Sequence, residues 1–174
     1  GEWSTLLKYD TPAWGAAIAY DRQNGGPAGT FIGQPVGTIP SGANADKRLI
    51  VDGYVKAGGA KIGGGWIKRS LVARPTGLST DLFFLGTSYP VAGAFSVDAQ
   101  LLFLHDTRAG SSARMAVARV NYALSKRTCV YVMAGRVSND RNAAYSLSAG
   151  GLQSSLPPVG EGQAGVLAGM RTSF

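Results

Sequence analysis

The chain has 174 residues, enough for one domain with a sizeable core, and its formal net charge at neutral pH is +7. No run of about 18 apolar residues occurs, which excludes a transmembrane helix. The Lys and Arg residues are scattered singly and no aromatic platform alternates with them, so no nucleic-acid partner is predicted. Because no sustained helical period is present, the composition indicates an all-β chain.

Alternation with period two predicts the first strands. Apolar and aromatic side chains occupy one face of segments 3–9 and 14–23, while polar side chains, including Lys8 and Asp21, occupy the other. The Gly- and Pro-rich stretch 24–46 has no periodicity and is predicted to be a long loop.

Segments 47–57 and 60–69 form the next predicted hairpin, around a tight turn at Gly58-Gly59. Its polar face carries Arg48, Asp52, Lys56, Lys61 and Arg69. The Gly63-Gly64-Gly65 run lacks the Lys-Ser/Thr pair and the helix that a phosphate-binding loop needs. We interpret this run as a place where another backbone or side chain approaches closely.

Segment 81–89 is predicted to be a strand with Phe83, Leu85, Thr87 and Tyr89 facing outward. Segment 95–103 shows the clearest alternation in the chain, with Phe95, Val97, Ala99, Leu101 and Phe103 on one face and Ser96, Asp98 and Gln100 on the other.

The last three predicted strands are 116–124, 128–137 and 163–174. Arg119 lies on the polar face of the first and Arg171 on that of the last, which ends on Phe174. In 128–137 we expect Tyr131, Met133 and Val137 on the apolar face, opposite Thr128 and Arg136. The stretch 139–162 is predicted to be a second long loop.

These segments give about nine strands whose connections alternate between short and long. Outer-membrane barrels have short periplasmic turns and longer outer loops, and Trp and Tyr form girdles near their strand ends. Here the aromatic residues near predicted strand ends are Trp3, Tyr9, Trp14, Tyr20, Trp66, Tyr89, Tyr122 and Tyr131. The pattern favours a transmembrane antiparallel up-and-down β-barrel. The alternative is a soluble β-barrel or sandwich that binds a small apolar ligand, in which Val97, Leu101 and Phe103 point inward.

No constellation of catalytic residues is visible. His105 has no partner His, Cys or carboxylate pair, and Cys129 has no nearby His to act as its base. The sequence therefore predicts no enzyme activity, no metal and no cofactor. It predicts a pore wall lined by Lys8, Asp21, Arg48, Asp52, Lys56, Lys61, Arg69, Asp98, Arg119, Arg136 and Arg171.

Several stretches resemble the general porins (gated, trimeric) of Gram-negative β-proteobacteria. The segment Tyr122-Ala123-Leu124-Ser125-Lys126-Arg127-Thr128, followed by Val130-Tyr131, is similar to the penultimate hairpin of that family. The ending Gly169-Met170-Arg171-Thr172-Ser173-Phe174 is similar to its terminal strand. Gly86-Thr87-Ser88-Tyr89-Pro90-Val91 and Asp98-Ala99-Gln100 fit the same family.

The resemblance implies an outer-membrane channel for passive diffusion of small hydrophilic solutes. It implies a homotrimer of sixteen-stranded barrels in contact with outer-membrane lipid, of which residues 1–174 are the C-terminal half. It also implies that Phe174 anchors the terminal strand for the outer-membrane insertion machinery. On the predicted faces, eight basic and five acidic side chains line the pore, so we expect a weak preference for anions.

Overall fold

The computed structural model describes residues 1–24, 29–31, 34–36, 45–72, 77–147 and 156–173. They form eleven strands: β1 (Glu2–Asp10), β2 (Trp14–Asn24), β3 (Gly29–Phe31), β4 (Gln34–Val36), β5 (Ala45–Ala57), β6 (Ala60–Val72), β7 (Leu78–Ala92), β8 (Phe95–Asp106), β9 (Ala113–Ala123), β10 (Thr128–Asn139) and β11 (Gln163–Thr172). No helix among these residues is long and apolar enough to cross a membrane. Phe174 lies outside the described residues.

Nine of the strands form one antiparallel sheet in the order β1-β2-β5-β6-β7-β8-β9-β10-β11. Each strand pairs with the next one along the chain, except that β2 pairs with β5. The short β3–β4 hairpin, which the sequence does not predict, comes between β2 and β5 in the chain and forms a separate two-stranded sheet. Within the described ranges neither edge strand, β1 or β11, has a second partner, so the sheet is a partial barrel that is not closed.

The two ends of the sheet differ in their connections. At the end we call the turn end, Ala57 pairs with Ala60 around Gly58 and Gly59, whose positive φ angles of 57° and 81° suit a two-residue hairpin turn. At the other end, which we call the loop end, longer stretches join the strands: 25–44, 73–77, 107–112 and 140–162. Short turns and long loops therefore lie on opposite sides of the molecule.

The two faces of the sheet differ in exposure. In β8, Leu101 and Phe103 are exposed, at 45% and 46%. Leu102 and Leu104, which alternate with them and point to the other face, are half-buried. Side chains diverge on the convex side of a curved sheet and converge on its concave side, so we call the face of Leu101 the convex face and that of Leu102 the concave face. Leu101 and Phe103 are exposed on the convex face, whereas the soluble ligand-binding alternative places them inside.

Strand β10 corrects one prediction. Its register pairs Tyr131 with Asn121 and Met133 with Arg119, so Tyr131, Met133 and Val137 lie on the concave face. Thr128 and Arg136 lie on the convex face, where Arg136 is directly opposite Ala116 on β9 and Ala164 on β11. The predicted facing of this strand is therefore reversed.

Candidate functional site

The concave face collects most of the charged side chains of the sheet. Ten of the eleven residues predicted to line a pore share it: Lys8, Asp21, Arg48, Asp52, Lys56, Lys61, Arg69, Asp98, Arg119 and Arg171. Arg136 does not, because the register of β10 places it on the convex face.

Two acidic residues on this face lie outside the strands that the sequence predicts. Asp46 lies at the start of β5 and Asp106 at the end of β8, and both are buried. The carboxylate of Asp46 accepts hydrogen bonds from the guanidinium of Arg69, at 2.7 Å, and from that of Arg48, at 3.1 Å. Asp106 pairs with Arg108. The strands thus place seven basic and seven acidic residues on the concave face: Lys8, Arg48, Lys56, Lys61, Arg69, Arg119 and Arg171 against Glu2, Asp10, Asp21, Asp46, Asp52, Asp98 and Asp106.

A polar cluster occupies the concave face of β8 and β9. Arg119 donates from Nε and Nη2 to one oxygen of Asp98, at 2.9 and 2.8 Å, and Asn121 donates to the same oxygen at 2.8 Å. The guanidinium of Arg119 also lies 5.7 Å from the centre of the Tyr131 ring on β10. These contacts hold the charged groups of Arg119 and Asp98 close to the wall. Without them, an extended arginine side chain would project away from the wall.

A second cluster lies near the turn end of β1, β5 and β6. Lys8 and Asp10 form an ion pair at 2.5 Å, and the hydroxyl of Tyr54 donates to Asp10 at 2.7 Å. The ammonium of Lys61 lies 4.0 Å from the centre of the Tyr54 ring, which is within cation–π range. Lys56 pairs directly with Lys61 across the hairpin. This end of the wall is therefore basic.

Glycines on the concave face accommodate neighbouring aromatic rings. A side-chain carbon on Gly65 would lie 2.7 Å from the Phe84 ring, and one on Gly15 would lie 2.6 Å from the Tyr54 ring. This agrees with the close approach expected for the Gly63-Gly64-Gly65 run.

Part of the stretch between β10 and β11 lies against the concave wall near the loop end. The side chain of Leu147 covers Gly135 and Gly165, where a side-chain carbon would lie 3.3 and 3.6 Å from it. The amide of Leu147 donates to the side-chain oxygen of Gln163 at 2.9 Å, and the side chain of Asn139 exchanges hydrogen bonds with the Tyr145 backbone. The stretch around residues 143–147 therefore narrows the space in front of the wall.

Tyr145 fixes this stretch to the end of β8. Its hydroxyl donates to Asp106 at 3.3 Å, beside Arg108. Burial, with the negative charge of Asp106 as the next cause, raises the pKa of Tyr145 to about 12. The phenol is therefore a neutral hydrogen-bond donor over the ordinary pH range.

Aromatic residues form clusters at both ends of the convex face. Trp3 and Tyr20 lie near the loop end with ring centres 5.1 Å apart, and Tyr9 and Trp14 lie near the turn end at 5.2 Å. Phe95 on β8 and Tyr122 on β9 also lie near the turn end, with ring centres 4.7 Å apart. Tyr131 does not belong to these clusters, because it lies on the concave face. Two aromatic bands on an apolar outer face are typical of membrane β-barrels.

Within the described ranges, no group of three or more His, Cys, Asp or Glu residues could hold a metal ion. His105 pairs with Asp81 on the convex face, and Cys129 lies opposite Arg171 on the concave face. The concave wall therefore presents charged and hydrogen-bonding side chains.

A partial barrel with a charged concave wall and an apolar convex face flanked by aromatic bands is a segment of a membrane-spanning β-barrel. The model of the Gram-negative porin family matches residues 3–142, and the chain belongs to that family. The family consists of channel proteins, and the chain is a protein of the outer membrane. No curated protein sequence matches it.

Solved structures show the same fold. The anion-selective porin from Comamonas acidovorans is similar with a TM-score of 0.85 and 21% identity, covering 99% of this chain and 49% of that one. OmpT, an outer membrane protein of Vibrio cholerae, gives a TM-score of 0.66 at 15% identity, covering 96% and 53%. Its loop L8 deletion mutant gives 0.60 at 12% identity. The chain spans about half the length of these structures.

Proposed function

We propose that residues 1–174 form part of the wall of a water-filled channel through which small hydrophilic solutes and ions diffuse passively across the outer membrane. The observation that carries the proposal is the separation of the two faces. Fourteen charged strand residues share the concave face, while the convex face bears exposed Leu, Val and Phe side chains. Side chains of the first kind suit a wet lumen, and those of the second suit lipid.

We further propose that this sheet is the C-terminal half of a sixteen-stranded barrel that assembles as a homotrimer. The unpaired edges of β1 and β11 support the first part, because unsatisfied backbone groups are too costly in the hydrocarbon region of a membrane. Coverage of about half of each similar structure is consistent with it. The trimer rests on the resemblance to general porins.

We also propose that the last strand is read by the outer-membrane insertion machinery, with Phe174 as its anchor. Strand β11 supports this because its convex face is apolar, with Val166 and Met170 strongly exposed, and its edge is free to pair among the described residues. Deleting Phe174 from the complete porin should lower the amount of folded trimer in the outer membrane. Normal amounts across several expression levels would contradict this role.

Cysteine accessibility tests the channel. In a Cys129→Ser background of the complete porin, Gln100→Cys places a thiol on the concave face and Ala99→Cys places one on the convex face, one residue away on β8. A charged, membrane-impermeant thiol reagent should react quickly with Gln100→Cys and change the single-channel conductance. It should react slowly with Ala99→Cys and leave the conductance unchanged. Equal reaction at both positions, or no conductance change at Gln100→Cys, would contradict a water-filled channel on this face.

A further inference from the structure

The positive charge of the chain is not concentrated on the concave face. That face is balanced, with seven basic and seven acidic strand residues. The convex face carries a single acidic residue, Asp81, against five basic ones: Arg22, Lys47, Lys68, Arg114 and Arg136. All six lie in the part of their strand that is nearer the loop end. Since the convex face contacts lipid, these charges need an explanation other than solute passage.

Two of these residues face each other directly. Arg22 on β2 and Lys47 on β5 are register partners, and the positions on either side of the pair are occupied by Trp3 and Ser70. Like charges directly opposite each other destabilise a sheet unless something offsets them. The recorded side-chain bond of Arg22 goes to the neutral amide oxygen of Asn24, at 2.8 Å. The pair therefore lacks an anionic partner within the described sheet.

A second pair lies four strands further along the sheet. Arg114 on β9 pairs with Ser138 on β10, so Arg136, two residues earlier on β10, is its diagonal neighbour on the same face. Both arginines are exposed, and neither takes part in a salt bridge among the described residues. All ten Asp and Glu residues of the sequence lie in the described ranges, and none of them forms a salt bridge with a residue of either pair.

Between the two pairs, the charged residues Lys68 on β6 and Asp81 on β7 are paired with each other on the convex face. Lys68 lies 3.7 Å from Asp81, which also accepts a hydrogen bond from the indole of Trp66 at 2.8 Å. The opposite end of the face differs, because its described strand residues near the turn end are apolar, aromatic or hydroxyl-bearing. The unpaired cations on the strands of the convex face therefore lie near one membrane surface and not near the other.

We propose that the pairs Arg22–Lys47 and Arg114–Arg136 each bind a phosphate group on an anionic lipid headgroup in the leaflet at the loop end. In outer-membrane barrels the long loops are extracellular, so this is the outer leaflet. Long basic side chains near a membrane surface reach toward the headgroups, and a guanidinium binds phosphate oxygens with two parallel hydrogen bonds. A phosphate between the two cations of a pair removes their repulsion. The proposal rests on the outer-membrane location of the chain and is independent of which solutes the channel passes.

Lipid retention by the complete porin in detergent tests this proposal, with phosphatidic acid as the probe and phosphatidylcholine as the neutral reference, counted by native mass spectrometry. Phosphatidic acid should be retained preferentially. Each of the double variants Arg22→Gln/Lys47→Gln and Arg114→Gln/Arg136→Gln should lose one retained phosphatidic acid per protomer and keep the other, since a basic residue near a charged membrane surface has a sizeable individual effect. The matched control is Lys126→Gln/Arg127→Gln, which removes two charges at the turn end and should change nothing.

Further measurements keep the proposal testable if a variant folds poorly. In the unmodified porin, preferential retention should disappear near 1 M salt, where the screening length is about 3 Å. The charge-preserving variant Arg114→Lys/Arg136→Lys should retain most of the binding. Equal retention of the two lipids by the unmodified porin, or an equal loss in the turn-end control, would overturn the proposal. Displacement of phosphatidic acid by millimolar inorganic phosphate would also overturn it, because the site would then take free phosphate and not lipid.

Discussion

The ring of Tyr131 on β10 covers Gly169 on β11, so that a side-chain carbon at that glycine would lie 2.6 Å from the Tyr131 hydroxyl oxygen. The two residues are register partners on the concave face. An aromatic ring that covers a glycine on a neighbouring strand shields the bare backbone and fixes the register of the pair. Tyr131 therefore lies on the concave side, although the sequence assigned its face of β10 to lipid.

The first prediction follows from that contact. Gly169→Leu should destabilise the complete porin by about 1–3 kcal/mol, because the new side chain must displace the Tyr131 ring. Ala168→Leu, one residue earlier and on the convex face, should have little effect. The free energy of unfolding, measured by urea titration in detergent or lipid, compares the two. Equal effects would show that Tyr131 does not rest on Gly169.

Why β10 was predicted with the wrong face is clear from its residues. Tyr131, Met133 and Val137 are large and apolar, but so are Val130 and Val132 on the other face, so both faces of the strand look suitable for lipid. A lone Arg136 then decided the prediction, and it lies close enough to the loop end to reach the membrane surface from the convex side. The register with β9 settles the facing, since Val130 pairs with Tyr122, which itself pairs with Phe95 on the convex face.

The second prediction concerns lipid exposure on β8. Ala99 lies between Thr87 and Ala118 on the convex face, whereas Gln100 lies between Gly86 and Val117 on the concave face. Ala99→Arg should cost about 2–4 kcal/mol, and Gln100→Arg should cost little. Refolding of the complete porin into lipid vesicles gives both values. A larger penalty at Gln100 would contradict the assignment of the two faces.

The third prediction concerns pH. Because the pKa of Tyr145 is raised to about 12 from an ordinary value near 10, its neutral form is favoured in the folded protein. Its contribution to stability should be complete below about pH 10 and disappear as the pH rises through about 12. A tyrosinate absorbance titration of the complete porin, minus that of Tyr145→Phe, isolates this phenol. A difference curve with its midpoint near 10 would show that Tyr145 is not held against Asp106.

The fourth prediction concerns current through the proposed channel. Near the loop end the concave wall carries Glu2, Asp21, Asp46 and Asp106 against Arg48 and Arg69. In the part nearer the turn end it carries Lys8, Lys56, Lys61, Arg119 and Arg171 against Asp10, Asp52 and Asp98. The expected eight-to-five basic excess is therefore wrong for this wall, and the charge is instead separated along the pore. We expect a conductance at low salt that differs between the two voltage polarities.

A matched pair of variants tests that prediction. Lys56→Gln/Lys61→Gln should reduce the asymmetry of the current, and the effect should fade as salt approaches about 1 M. Lys47→Gln/Lys68→Gln removes two charges from the same two strands on the convex face and should leave the current unchanged. An effect of the second variant equal to that of the first would mean that the concave charges do not act on permeating ions.

The sequence predicted the strands far better than it predicted the charge balance. Alternation is reliable where one face is polar and the other is not, as in β8, because each position then identifies its own face. It fails at strand ends, where Asp46 and Asp106 lie beside Gly-, Ser- and Asn-rich stretches and look like loop residues. Arg69 secures Asp46 to the wall from 23 residues away in the chain, and such long-range pairing is not visible in a local pattern. Arg108 secures Asp106 from two residues away, beyond the predicted end of the strand.

The pairing of β2 with β5 has a consequence for the order in which the sheet forms. Most neighbouring strands are joined by short connections, and the β5–β6 hairpin closes over two glycines. Asn24 and Ala45, the register partners at the end of β2 and the start of β5, are separated by about twenty residues. Closing this loop costs about 2 kcal/mol more in chain entropy than closing a two-residue turn. The β3–β4 hairpin shortens the span to be closed. The strands from β5 to β10, whose connections are much shorter, can therefore assemble as one kinetic unit, to which the β1–β2 hairpin docks as a later step.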